Sequence, residues 1–128
     1  MDWIESLKLH NPRQLGKGIP KTFIKDLEVR LNIGMPEELE RFLLELNYAT
    51  LYDDPIFGIN RENPEIDLYE RNVNAEHFRY GFLEIFSSDI DGAVYIRPDT
   101  GLIYSSAFLQ PISPNFSRFV ESLLADNL

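Results

Sequence analysis

Apolar side chains at the start of the chain recur at the three-to-four-residue spacing of an amphipathic helix. The pattern predicts a short first helix with an apolar face made of Trp3, Ile4 and Leu7. Asp2 is expected to cap this helix, and Asn11-Pro12 to end it, because proline disfavours helical backbone at the residue before it. Residues 11–20 contain two glycines and two prolines and are expected to form a connection.

Two further helices are predicted between residues 22 and 46. The first spans about residues 22–32 and has an apolar stripe made of Phe23, Ile24, Leu27 and Leu31. Gly34 is expected to follow it in the left-handed conformation, where the absence of a Cβ avoids a clash. Pro36 is expected to open the next helix, because its missing N–H costs nothing at the first helical position. The apolar face of this third helix is made of Leu39, Phe42, Leu43 and Leu46.

Residues 47–64 are dominated by turn-forming residues, and one strand is predicted there, over residues 56–59. A short helix is expected to follow and to end near Asn72. Its start is indicated by Asn63, which suits a cap, and by Pro64, which suits the first helical position.

Residues 81–104 show the period-two alternation of strands with one buried face. Phe82, Glu84 and Phe86 alternate with Leu83 and Ile85. Tight turns are predicted at Asp91-Gly92 and at residues 98–101, which gives three short antiparallel strands.

A last helix is predicted near the end of the chain, with Ser113 as cap and Pro114 as first residue. Its apolar face is made of Phe116, Phe119, Val120, Leu123 and Leu124. Helices followed by strands and then by a helix predict one α+β domain over residues 1–128. In it, the N-terminal helices and the C-terminal helix pack on an antiparallel sheet.

The composition agrees with a globular domain and excludes several kinds of chemistry. The chain has 128 residues, of which 44% are hydrophobic, and it contains no cysteine. Disulfides, thiolate zinc sites and cysteine nucleophiles are therefore excluded. The N-terminus lacks a signal-peptide pattern, and no stretch reaches the roughly 18 apolar residues of a membrane helix. We therefore expect a soluble, cytoplasmic protein with no membrane partner.

The net charge of −9 is unevenly distributed along the chain. Residues 1–30 carry a net +2, whereas residues 31–128 carry −11. Such a surface repels nucleic acid, so nucleic acid is not expected as a partner. It attracts a basic protein, because opposite potentials speed encounter and help to select the partner. The alternative is that the acidity only keeps the domain soluble.

No residue pattern in the chain predicts a catalytic, metal or cofactor site. His10 and His77 cannot form a three-histidine zinc site, and we expect His77 to have a surface or packing role in a loop. The segment Asp89-Ile90-Asp91-Gly92 is not a calcium loop, because proline stands where the bidentate glutamate is required. We therefore expect a protein that is not an enzyme and has no cofactor. The remaining enzymatic alternative is a small hydrolase that uses a pair of carboxylates.

The acidic residues between positions 53 and 91 are the best candidates for a binding surface. This segment holds ten acidic residues and three arginines. Tyrosine provides anchoring area at interfaces, and carboxylates can imitate phosphates, so acids next to tyrosines fit a cationic partner. The predicted partner-binding residues are Tyr48, Tyr52, Asp53, Asp54, Asp89, Asp91 and Tyr95. The alternative is that these acids form an ordinary solvated face. The aromatic residues Phe42, Phe82, Phe116 and Phe119 are predicted to pack in the core.

The order of these segments resembles the SUKH superfamily, the Smi/Knr-like proteins. The resemblance covers nearly the whole chain and rests on seven matches: Trp3, Ile24-Lys25-Asp26-Leu27-Glu28, residues 33–38, Phe42-Leu43, Ile56-Phe57-Gly58, residues 82–104 and residues 116–124. Two loops depart from the superfamily pattern. The third helix is followed by Asn47-Tyr48-Ala49 without the usual glycines, and the turn at residues 89–92 is longer and more acidic.

The resemblance implies a protein that binds other proteins and performs no catalysis. Most bacterial members of the superfamily look like immunity proteins that bind and block a cognate secreted toxin, often a nuclease. The expected function is therefore stoichiometric neutralisation of a toxin, with a cationic nuclease as the partner that suits the acidic surface. The alternative is an intracellular regulatory or scaffold module of the same fold. The sequence leaves the oligomeric state open.

Overall fold

The computed structural model of the protein describes residues 2–10, 15–89, 92–106 and 110–125. Within these ranges the helices are α1 (Trp3–His10), α2 (Lys21–Leu31), α3 (Glu37–Glu45), α4 (Leu68–Asn72), α5 (Glu76–Arg79) and α6 (Phe116–Ala125). The strands are β1 (Ala49–Leu51), β2 (Asp54–Ile56), β3 (Leu83–Ser88), β4 (Gly92–Ile96), β5 (Ile103–Ser105) and β6 (Pro111–Ser113). A short 3-10 helix, Pro64–Ile66, precedes α4.

All six strands belong to one antiparallel sheet in which each strand pairs with the next one along the chain. The predicted α+β class, with helices packed on an antiparallel sheet, is therefore confirmed. Three strands were not predicted in this form, because β1, β2 and β6 have only three residues each. None of the helices in the described ranges combines the length and the apolar character needed to cross a membrane.

A bulge in β3 decides which of its side chains face the main core. Glu84 pairs with Tyr95, but the next paired residue is Phe86, opposite Val94, so Ile85 is the extra residue of the bulge. Because one extra residue exchanges the two faces of a strand, Phe86 lies on the same face as Val94. The prediction that Glu84 and Phe86 share one face is therefore wrong.

Aromatic rings join the helices to the core face of the sheet. The ring of Phe116 lies 5.5 Å from Trp3 of α1 and 5.7 Å from Phe42 of α3, measured between centroids. Phe86 of β3 contacts Phe119 of α6 at 5.5 Å. The predicted core roles of Phe42, Phe116 and Phe119 are confirmed, since all three are buried.

Phe82 lies outside this core and is only half-buried. Its ring contacts Tyr95 at 6.2 Å and Tyr104 at 5.2 Å, so it packs on the other face of the sheet. Phe82 packs against other rings, as predicted, but it does not lie in the main core, where it was predicted to lie.

The residues at the ends of the first two helices agree only in part with the prediction. Asp2 accepts the backbone N–H of Glu5 at 3.0 Å, as predicted for the cap of α1. After α2, the left-handed residue is Asn32, with φ 55°, and not Gly34. Phe23 is 49% exposed, so the apolar face of α2 consists of Ile24, Leu27 and Leu31.

Of the other two predicted caps, Asn63 does precede a helical turn that begins at Pro64, but this turn is a separate 3-10 helix and the Asn63 side chain makes no capping bond. Asp67, and not Asn63, caps α4 by accepting the N–H of Glu70 at 3.0 Å. Ser113 belongs to β6, and the side chain of Asn115 accepts the N–H of Arg118 at 2.9 Å at the start of α6.

Asn47 fixes the chain where α3 gives way to the sheet. Its φ is 61°, a conformation that asparagine tolerates better than most residues. Its side chain donates to the carbonyl of Ile59 at 3.0 Å and accepts the N–H of Ile59 at 2.9 Å. Gly58 lies directly against it, since a Cβ there would be 1.7 Å from the Asn47 carbonyl oxygen. The two residues form a close backbone contact in place of the expected glycine-rich loop.

We expect Gly58→Ala to destabilise the protein by about 3 kcal/mol, because the added Cβ clashes with backbone that cannot move away. Gly34→Ala is the matched control, since a Cβ at Gly34 would meet nothing within 4 Å. This control should be neutral or stabilising by up to about 1 kcal/mol. Urea unfolding of the two variants measures the difference, and equal midpoints would contradict the contact.

Candidate functional site

Three segments enclose an acidic groove at one end of the sheet. They are the β1–β2 turn, the 3-10 helix before α4 and the end of β3. We call this hollow of ≈ 220 Å³ the acidic groove, and its charged and aromatic lining consists of Asp53, Asp54, Glu65, Asp89, Arg71 and Phe57. Its four carboxylates come from three parts of the sequence, which lie between residues 53 and 89. The fold therefore brings together acids that the sequence only places in one long segment.

The β1–β2 hairpin holds two groove residues in an unusual backbone conformation. Leu51 pairs with Asp54, so the turn between them contains only Tyr52 and Asp53. Both turn residues have positive φ, 52° and 71°, as a type I′ turn requires. Aspartate tolerates this conformation, whereas it is uncommon for a bulky residue such as tyrosine. A tyrosine held there despite some strain marks the turn as a place where function is worth testing.

Tyr52 is the most exposed of the predicted aromatic residues. Its side chain is 45% exposed, and its ring lies 4.8 Å from the ring of His10. The ring is therefore supported from one side by α1 while it offers apolar area to solvent beside the groove. This is the geometry that the prediction of an aromatic anchor requires.

None of the three predicted tyrosines lines the groove, and Tyr52 is linked to it only as the chain neighbour of Asp53. Tyr48 is half-buried, and its hydroxyl accepts a hydrogen bond from Thr50 at 2.7 Å. Tyr95 is only 8% exposed and packs between His77 and Phe82. The prediction that Tyr95 offers a binding surface is therefore wrong, because period-two alternation places it under the short helices that cover that face.

The predicted aspartates divide in a similar way. Asp53, Asp54 and Asp89 all line the groove, with Asp53 and Asp89 exposed and Asp54 half-buried. Asp91 lies outside the described residues. Glu65 was not among the predicted residues, although it lies in the acidic segment, because nothing in the sequence indicates that the 3-10 helix turns toward the β1–β2 hairpin.

Arg71 also lines the groove, although no sequence pattern indicated it. Its Nη2 donates to Oε2 of Glu84 at 2.6 Å, and its guanidinium lies 4.9 Å from the centre of the Phe57 ring. Its Nε is buried without a hydrogen-bond partner among the described residues. Because Glu84 already pairs with its charge, Arg71 does not neutralise the carboxylates of the lining, and the groove keeps a negative potential.

A buried amide holds Arg71 and Glu84 in place. Asn72 is completely buried, and its Nδ2 donates to the carbonyls of Leu68 at 2.8 Å and Glu84 at 3.1 Å. Its Oδ1 accepts the N–H of Glu84 at 2.7 Å and lies 2.8 Å from Nε2 of His77. Since Oδ1 is an acceptor, His77 must carry a proton on Nε2. All polar atoms of the amide are thereby satisfied, and α4 is fixed to β3.

Burial shifts the pKa values of the two rings beside this amide. Desolvation lowers the pKa of His77 and raises the pKa of Tyr95, and the rings lie 4.8 Å apart. The charge of Glu84 is the next contribution in both cases and raises both pKa values. His77 has the packing role predicted for it, although it lies on α5 and not in a loop.

The chemical groups that the groove presents are mainly carboxylates. Its lining includes Ser87 and Ser88, but within the described residues it includes no histidine or lysine that could activate them. No group of three or more histidines and acids in that part of the chain is arranged to hold a metal ion. What the groove does offer is a cluster of carboxylates that can pair with cationic side chains.

No model of a known protein family matches the sequence, and no curated protein is significantly similar to it. The function must therefore be inferred from the groove, the fold and the order of the sequence motifs.

We expect the protein to lose stability as the pH falls below about 6.5, because the pKa of His77 is lowered from 6.5 in the folded state. A proton then binds more readily to the unfolded chain than to the folded one. The contribution of His77 to the free energy of unfolding is therefore present above its unfolded pKa and lost as the pH falls below it. One such group can change the free energy of unfolding by at most about 1.4 kcal/mol per pH unit.

Urea unfolding at pH 7.5, 6.5 and 5.5 measures this slope. His77→Gln is the control, because glutamine can still donate to Asn72 Oδ1 but does not titrate. The slope of the variant should be smaller than that of the natural protein. Identical slopes would show that His77 is not desolvated in solution.

Proposed function

We propose that the protein is an immunity protein that neutralises a secreted toxin by binding it stoichiometrically, without catalysis. The observation that carries this proposal is the acidic groove, in which Asp53, Asp54, Glu65 and Asp89 line one hollow, and Tyr52, the chain neighbour of Asp53, is exposed. The order of motifs that resembles the SUKH superfamily supports the same function.

A cationic toxin surface is the partner that suits this groove. Nucleases bind the phosphates of nucleic acid with lysine and arginine, and carboxylates can occupy the same positions. Asp53 and Asp89 are exposed, so they can meet such side chains without a movement of the backbone. Tyr52 adds apolar contact area next to the charges, as at many protein interfaces.

The long-range charge of the chain favours fast association with such a partner. The net charge is −9, and residues 31–128, which include the whole groove, carry −11. Opposite potentials can raise association rates well above those of neutral partners, and this advantage falls as salt is added. Fast capture is useful for an immunity protein, since the toxin must be bound before it acts.

Co-expression tests the proposed function directly. The reading frame immediately upstream in the source genome is expressed in a bacterial host with and without this chain. Growth arrest by that protein, and rescue by this chain, is the expected result. A harmless neighbour, or a toxic neighbour that this chain does not rescue, would favour the alternative of a regulatory or scaffold module.

We expect the triple variant Asp53→Asn, Glu65→Gln and Asp89→Asn to associate about tenfold more slowly with the toxin at low salt, because steering charge is lost. Asparagine is chosen for position 53 because φ is 71° there, and asparagine tolerates this conformation. Stopped-flow measurement at several salt concentrations gives the rate and its salt dependence, which should become flatter.

A second triple variant controls for net charge. Glu37→Gln, Glu76→Gln and Glu121→Gln remove the same number of charges from exposed positions on α3, α5 and α6, outside the groove. This variant should keep an association rate close to that of the natural protein. If both triple variants slow association equally, the groove is not the contact surface.

A further inference from the structure

A second and larger hollow lies at the other end of the β3–β4 hairpin. It has a volume of ≈ 520 Å³ and is bounded by the α2–α3 connection, α5 and the turn after β4. We call it the arginine cleft, and its lining includes Leu31, Ile33, Phe78, Arg79, Arg97 and Asp99. Its volume falls within the range of ligand pockets, roughly 300–1,000 Å³. β3 separates it from the acidic groove by about 20 Å, since a strand rises about 3.3 Å per residue.

The arginine cleft has an apolar floor and a basic rim. Leu31 is buried, and Ile33 and Phe78 pack partly buried against the core. Arg79 is exposed and makes no hydrogen bond or ion pair with the described part of the chain. With Arg97 and Asp99 paired to each other, the lining carries an uncompensated positive charge from Arg79 in a protein of net charge −9.

Several contacts orient the guanidinium of Arg97, and each of them is weak. It lies 5.0 Å from the centre of the Phe82 ring, and its Nη1 is 3.4 Å from the carbonyl oxygen of Tyr80. Its bonds to Asp99 are 3.2 and 3.4 Å long, whereas strong bonds between charged groups are about 2.7–2.9 Å. Arginine has five N–H donors, so Arg97 can bind a further acceptor without giving up these contacts.

The arginine cleft continues into a neighbouring hollow. That hollow, of ≈ 300 Å³, shares Pro98 and Asp99 with the cleft and extends toward Pro36 and Phe116. Its lining also includes Glu37 and Glu38, so the carboxylate of a ligand is confined to the end near the two arginines. Together the two hollows make an elongated surface depression, which suits an extended chain better than a compact small molecule.

We propose that the arginine cleft binds an extended peptide segment that carries a carboxylate next to an apolar side chain. Arg79 and Arg97 pair with the carboxylate, and the apolar side chain covers the floor made of Leu31, Ile33 and Phe78. A peptide terminus that ends in leucine has both groups on one residue. This site is separate from the acidic groove and does not depend on the proposed function.

The test uses the full chain, labelled with ¹⁵N, and two peptide probes. Acetyl-Ala-Leu with a free carboxylate should shift the amide signals of residues 31–34 and 78–81 and those of Arg97 and Asp99, with a dissociation constant in the millimolar range. Acetyl-Ala-Leu-amide, which lacks the charge, should bind about tenfold more weakly, since one bond to a charged group is worth about that factor. Equal binding of the two peptides would overturn the proposal, as would the absence of shifts at these residues.

Two variants assign the binding to the cleft. Arg79→Gln should weaken binding of the free acid about tenfold, whereas Arg118→Gln removes an exposed arginine that lines neither hollow and should change nothing. Gly34→Phe should abolish binding by filling the cleft, and it should fold, because a Cβ at Gly34 would meet nothing within 4 Å. Unchanged binding in Arg79→Gln or in the folded Gly34→Phe variant would overturn the proposal.

Hexanoate serves as a third probe, because it has a carboxylate and an apolar chain but no peptide group. It should bind more weakly than acetyl-Ala-Leu. If it binds as tightly, the cleft recognises a small amphipathic carboxylate, and the assignment to a peptide is wrong.

Discussion

The packing of α4 and α5 against the sheet depends on the buried amide of Asn72. It satisfies the backbone N–H and carbonyl of Glu84 in the middle of β3, at the bulge, and it binds the ring of His77 on α5. The amide is completely buried, so each of these bonds replaces a bond to water that the folded chain cannot make. Loss of the amide would leave several polar groups unpaired in the interior, which is among the most costly changes in a protein. The amide therefore acts together with the Arg71–Glu84 ion pair and the buried side chain of Leu68 in attaching α4 to the sheet, and it also binds α5 through His77.

The geometry of the acidic groove follows from this attachment. Arg71 is the neighbour of Asn72 along the chain, and its bond to Glu84 holds the guanidinium against Phe57 at the groove. The opposite side of the groove is the β1–β2 turn, whose two residues both have positive φ. One side is thus fixed by a buried polar network and the other by a tight hairpin. A surface built in this way can present its carboxylates with little loss of conformational freedom on binding.

Much of the fold could be predicted from the sequence, because the long helices and the central hairpin have clear apolar periodicity. The buried faces of α3 and α6 follow the predicted pattern. The strands β3 and β4 lie where strands were predicted, although the bulge at Ile85 breaks the predicted alternation in β3. The short strands β1, β2 and β6 have too few residues for a period to be recognised. The prediction for Tyr95 is wrong because alternation separates the two faces of a strand but does not indicate that helices cover both of them.

The candidate site could be predicted only in part, because its residues meet through tertiary contacts. The acidic segment indicated Asp53, Asp54 and Asp89, and these three do line one groove. Glu65 and Arg71 join them only because Asp67 caps α4 and Asn72 attaches that helix to β3. The arginine cleft had no signal in the sequence, since Arg79 and Arg97 belong to different elements and come together through the pairing of β3 with β4.

The most direct test of a stoichiometric binding function is to titrate the activity of the purified toxin with this chain. The protein encoded upstream is mixed with increasing amounts of the chain at concentrations far above the dissociation constant, and the remaining activity is measured. Neutralisation by binding predicts a linear fall to zero at a fixed molar ratio, which does not change with the time of incubation. Inactivation by much less than one equivalent, growing with time, would contradict this account and indicate that the protein is an enzyme.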